Sequence, residues 1–167
     1  DLEPEEYELR ILLGELLVRV KGDAPGAIDL WKQVLLDDPE QTKAQRMLEN
    51  YFTHPELLLE IAEVLESVYR DQNQWHKLIE LDHALLDESV TPDPMRQEEL
   101  WTEIAEVWSQ QLNDTDKAFS AYIEAFSLNP TDMDLRTQVF QMVEEQKAWL
   151  SFLPRLQQAV LDMSDLE

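Results

Sequence analysis

The 167-residue chain predicts an all-α fold, a right-handed solenoid of stacked helical hairpins with about nine helices. Three observations carry that prediction. Apolar residues recur at spacings of three and four along the chain, no strand-like alternation persists, and every break is a short turn. Glycine occurs only 3 times, too rarely for phosphate-cradling loops or many tight β-turns. A hydrophobic content of 44% argues against disorder. The expectation is a single helical repeat domain over residues 1–167, irregular around residues 53–94.

The first helix is expected over residues 5–20, with Leu9, Leu13, Leu16, Leu17 and Val20 inward. Gly22-Asp23 breaks it, and Asp23 with Pro25 signals the next helix start. That helix, residues 25–36, turns Ala27, Ile28, Trp31, Val34 and Leu35 to the core and ends at Asp38-Pro39. A short third helix over residues 39–52 buries Ala44, Met47, Leu48 and Tyr51. Thr53 and Glu56 read as a capping box, each side chain answering the other's backbone N–H. The fourth helix runs to about residue 70, and its EIAEV at 60–64 returns at 103–107. After a turn at 71–74, a fifth helix over residues 74–86 is anchored by Trp75, Leu78, Ile79 and Leu85. Two prolines make residues 89–94, SVTPDP, a loop or linker.

Residues 100–130 then form a self-contained αα-hairpin, the sixth and seventh helices. Trp101, Ile104, Ala105 and Trp108 share one face, and Ala118, Phe119, Tyr122 and Ala125 share the other. The alanines allow close approach, the bulky residues fill the gaps, and Pro130 ends the hairpin. Sliding residues 9–39 onto 100–130 needs no gap, and Leu9/Leu100, Glu15/Glu106, Asp23/Asp114, Ala27/Ala118 and Pro39/Pro130 are identical. Gly14 then faces Ala105, and Trp31 faces Tyr122. The eighth helix starts at Thr131 or Asp132 and runs to about residue 145, with Leu135, Val139, Phe140 and Val143 inward. The ninth follows Gln146-Lys147, carries Trp149 as the fifth carries Trp75, and reaches about residue 163. Pro154 lies near enough to its start to be tolerated, or kinks it; residues 164–167 are expected to fray. All five tryptophans fall on inward stripes, which reads as core packing rather than a cofactor box. One difficulty is parity. The sister helices one and six lie five helices apart, so one unit must hold an odd helix.

The order Trp101, Ile104, Ala105, Trp108, Ala118, Tyr122, Ala125, Pro130 resembles the tetratricopeptide repeat, with one extra residue before the turn. The alternation of full repeats with tryptophan-led helices is similar to long bacterial scaffold proteins of that family. The resemblance implies a concave groove lined by the first helix of each pair. In that groove Glu15, Glu63 and Glu106 would form a ladder with Glu8, Glu56 and Glu99 beside it. The Lys, Arg and Asn clamp that some members use for C-terminal carboxylates is missing.

The net charge of −23, from 36 acidic and 13 basic side chains, repels nucleic acid and anionic lipid and attracts basic partners. Its plainer reading is a solvated surface. No run approaches the roughly 18 apolar residues of a membrane span. The absence of cysteine rules out disulfides and thiol chemistry. No catalytic or nucleotide-binding motif is present. His76, Glu80 and His83 share a helix face, the only metal-like set, yet such residues are ordinary on an exposed face. The expectation is a non-enzymatic, cofactor-free cytoplasmic scaffold, cut from a longer protein because it opens at Asp1. Its partner would be a Lys/Arg-rich protein or peptide. The alternative is a structural spacer that self-associates through its terminal helices.

Overall fold

The computed structural model describes residues 4–164, which hold nine α-helices, two π-helical turns and no strand. Of the end expected to fray, residues 164–167, Ser164 is the last residue of a helix and residues 165–167 lie outside the described residues. The chain divides between Val90 and Thr91, inside the proline loop, into two compact units.

The first unit contains α1 (Pro4–Leu16) with a π turn (Leu17–Lys21), then α2 (Ala24–Asp37), α3 (Thr42–Glu49), α4 (Pro55–Asp71) and α5 (Trp75–Leu85). The second contains α6 (Pro94–Glu106) with a π turn (Val107–Gln111), then α7 (Thr115–Leu128), α8 (Met133–Gln146) and α9 (Trp149–Ser164). Aspartates start four of the helices. Asp23 accepts from the Gly26 N–H at 3.0 Å, Asp93 from Met95 at 3.1 Å, Asp114 from Lys117 at 3.1 Å and Asp132 from Leu135 at 2.7 Å. Four helices end at a left-handed residue: Gly22 (φ 69°), Asn73 (55°), Asn113 (53°) and Lys147 (54°).

The π turns account for the extra residue before the sequence turn. In both hairpins the closing N–H reaches back six residues, Asp23 to the Leu17 carbonyl at 3.2 Å and Asp114 to Trp108 at 2.8 Å. A π turn encloses one more residue than an α turn, so the insertion is absorbed without breaking the helix. This closing bond is the same in both hairpins across the shift that carries Leu9 onto Leu100.

The buried face of α1 differs from the expected one. Tyr7, Ile11 and Gly14 are buried, whereas Leu9 is 64% and Val20 74% exposed. The cause is Trp31, which enters against Gly14 and donates its indole N–H to the Ile11 carbonyl at 3.2 Å. A Cβ on Gly14 would lie 2.7 Å from Trp31 Cε2. The largest side chain of the hairpin needs the smallest residue opposite, and this fixes the helix rotation over any count of leucines.

Two other expectations change. The capping box does not form: His54 is the N-cap of α4 and Pro55 its first residue, so Thr53 sits one position too early. Of the tryptophans only Trp31 is fully buried. Trp75, Trp101 and Trp108 are half-buried, and Trp149 is 44% exposed. Trp149 opens α9, donating to Glu144 at 2.8 Å and packing its ring 6.0 Å from Phe140. Pro154 is accommodated within α9, which continues to Ser164.

The parity difficulty has a structural answer. α3 packs on α2 as α8 packs on α7. Lys32 bridges α2 to Glu60 of α4 at 3.1 Å, as Arg155 of α9 bridges to Glu124 of α7 at 2.8 Å. Thus α1–α4 and α6–α9 share one arrangement. The odd helix is α5, which packs on α4 and has no counterpart on α9 among the described residues.

Candidate interaction surface

Each unit carries a groove between its first three helices. In the first unit a cavity of about 580 Å³ is bordered by Glu15, Arg19, Trp31, Met47, Tyr51 and His54. In the second a cavity of about 290 Å³ is bordered by Glu98, Thr102, Glu106, Tyr122, Asp132 and Asp134, with Gln138 on the α8 side. Glu15/Glu106, Trp31/Tyr122 and Met47/Gln138 are equivalent pairs under the hairpin shift, so the same three positions build both grooves.

The grooves differ in charge. Glu15 is already paired with Lys43 at 3.0 Å, and Arg19 adds a second cation. Tyr51 stands 5.2 Å from His54 and its ring lies 6.1 Å from the buried Trp31, so the groove wall carries an aromatic cluster. The second groove gathers four carboxylates and no basic side chain on its border. Burial, then the Glu106 carboxylate, raises the Tyr122 pKa and holds its hydroxyl protonated. The buried Thr102 hydroxyl has no hydrogen-bond partner among the described residues.

The six glutamates expected to line a ladder fall in different places. Glu15 and Glu106 border the two grooves. Glu8, Glu56 and Glu63 are exposed and border neither, and Glu99 is exposed and paired with Arg96 at 2.9 Å. Glu56 and Glu63 sit on α4, whose counterpart is α9 rather than α1 or α6, so their matching sequence phase carries no matching position. Sequence reasoning missed Glu98, Asp132 and Asp134. Glu98 neighbours the residue singled out, and the two aspartates flank the start of α8, where acids usually serve the helix terminus.

His76 and Glu80 are exposed on α5, and burial lowers the His83 pKa. Among the described residues no group of three or more His, Asp or Glu is arranged to hold a metal, and no helix is long and apolar enough to cross a membrane. Compared with known protein families and with curated proteins, the chain matches none.

Proposed function

We propose that this chain is a non-catalytic protein-interaction module of the tetratricopeptide kind, working within a cytoplasmic scaffold. It binds a Lys/Arg-bearing segment of a partner in the groove of the second unit. The observation that carries this reading is the convergence of Glu98, Glu106, Asp132 and Asp134 around Tyr122 and Thr102. Carboxylates supply attraction and steering to a cationic segment. The protonated Tyr122 hydroxyl and the Thr102 hydroxyl supply directional hydrogen bonds. The first groove, more aromatic and internally neutralised, offers apolar contact to the same class of ligand.

The test is titration of a fluorescent lysine-rich peptide into the chain at several salt concentrations, repeated with Glu106→Lys, Asp132→Lys and Asp134→Lys combined. The reading predicts affinity that falls with salt and drops at least about tenfold in the triple variant, more than solvated rim charges supply singly. Equal binding by both proteins at all salts would refute it. A second reading, self-association, draws support from the exposed Leu9, Leu12 and Leu13 of α1 and Val20 of its π turn.

A further inference from the structure

In the first unit the α4–α5 turn and α5 are bonded onto the surface made by the end of α2, by α3 and by the last turns of α4, with a cavity of about 310 Å³ left between α3 and the start of α5. Gln72 and Gln45 both donate to the Pro39 carbonyl. Tyr69 donates to Glu49 at 2.7 Å. Lys77 of α5 donates to the same carboxylate at 2.7 Å and lies 5.6 Å from the Tyr69 ring centre.

The equivalent surface of the second unit is an open cavity of about 350 Å³, bordered by Phe126, Pro130, Arg136, Phe140, Leu156 and Val160. Under the shift that relates the units, Pro130 stands for Pro39, Phe140 for Glu49 and Val160 for Tyr69. The groups that hold Lys77 are therefore replaced by apolar ones. Arg136 stands where the first unit has the neutral Gln45. Phe126 and Phe140 border the cavity, and the buried Phe152 packs behind them, the three rings lying within 6.5 Å of one another. Beside it Leu153 and Val160 are 47% and 59% exposed on α9, the face whose counterpart α4 carries α5.

We infer that this face is a docking site for an amphipathic α-helix of another protein, seated as α5 is seated on α4. Its chemistry differs from that of α5 in two respects. A large apolar side chain enters the cavity where α5 presents Lys77, because Phe140 and Val160 offer no partner to an ammonium. A carboxylate meets Arg136, the one cation on the cavity border. The occupant is thus an acidic amphipathic helix, distinct from the cationic segment assigned to the α6–α8 groove.

Two labelled peptides of residues 72–88 test this against the full chain by fluorescence anisotropy, one native and one with Lys77→Leu. The native α5 sequence supplies the acidic amphipathic helix, and the substitution supplies the apolar plug. Burying a leucine in place of a lysine predicts at least about tenfold tighter binding by the Lys77→Leu peptide. Val160→Glu in the chain, at an exposed position that leaves the fold intact, should remove that binding. Arg136→Glu should weaken it several-fold. Failure of either peptide to bind at millimolar concentration, or equal binding by the Val160→Glu protein, would overturn the assignment. A concentration-dependent dimer in sedimentation equilibrium that Val160→Glu abolishes would overturn it too, giving the face to a second copy of this chain.

Discussion

Gly14→Ala tests the packing that sets the first hairpin. On helix propensity alone the change should stabilise by about 1 kcal/mol, since glycine is a poor helix former. The structure predicts the opposite sign. The added methyl meets the Trp31 ring, with Cε2 at 2.7 Å and Cζ2 at 3.1 Å from its position, and Trp31, 2% exposed, can give way only by shifting toward the groove it borders. Overpacking of this kind costs about 1–3 kcal/mol. Displacing the ring also weakens its bond to the Ile11 carbonyl, worth about 1 kcal/mol. The net expectation is a loss of about 1–3 kcal/mol in urea unfolding followed by far-UV circular dichroism. The second unit supplies the rescue, because Ala105 and Tyr122 take the positions of Gly14 and Trp31 there. The double variant Gly14→Ala with Trp31→Tyr should therefore recover at least about 1 kcal/mol relative to the sum of the single changes. A Gly14→Ala protein more stable than the parent, with no coupling to Trp31→Tyr, would refute the close approach and the hairpin equivalence together.

Other perturbations follow the same logic. Asp132→Ala removes the 2.7 Å cap bond of α8 and should cost about 1 kcal/mol in the same unfolding measurement. Asp114 has its pKa lowered, chiefly by the Lys117 backbone N–H. Its contribution is present above the ordinary carboxylate range and is lost as pH falls through the folded value, so Asp114→Ala should flatten the acid limb of the stability curve. Burial first, then the Glu49 hydrogen bond and the charges of Glu49 and Glu80, raises the Tyr69 pKa. The folded phenol keeps its proton where the unfolded one loses it, so stability declines as pH rises past about 10. Tyr69→Phe should lower stability by about 1 kcal/mol at neutral pH and make the alkaline decline shallower.

Most helices were legible because their breaks carry chemistry that acts locally: Asp23 and Asp114 as caps, Gly22 and Asn113 as left-handed stops, Pro39 and Pro130 as terminators. The inward stripe of α2 was legible for a related reason, since Ala27, Ile28, Trp31, Val34 and Leu35 leave only one apolar face. On α1 leucines occupy several faces, and the choice among them was made by Trp31 on another helix. Helical periodicity contains no such information. The half-buried and exposed tryptophans show the same limit: a large ring at core spacing can lie at the edge of a hairpin, as Trp149 does against Phe140. Glu15 and Glu106 were legible as groove residues because the hairpins repeat. Glu56 and Glu63 shared the spacing without the placement, since α5 shifts the order of helix roles. The aspartates of the second groove were hidden by their proximity to a helix start, where an acid needs no further explanation.

The central claim is that the α6–α8 groove, rather than acidic surface at large, recognises a cationic segment. Two-dimensional ¹H–¹⁵N NMR of the chain titrated with a lysine-rich peptide tests it most directly. Saturable shifts concentrated at Thr102, Glu106, Tyr122, Asp134 and Gln138 are the predicted result. Small, non-saturating shifts spread equally over exposed carboxylates such as Glu8, Glu56 and Glu63 would contradict it.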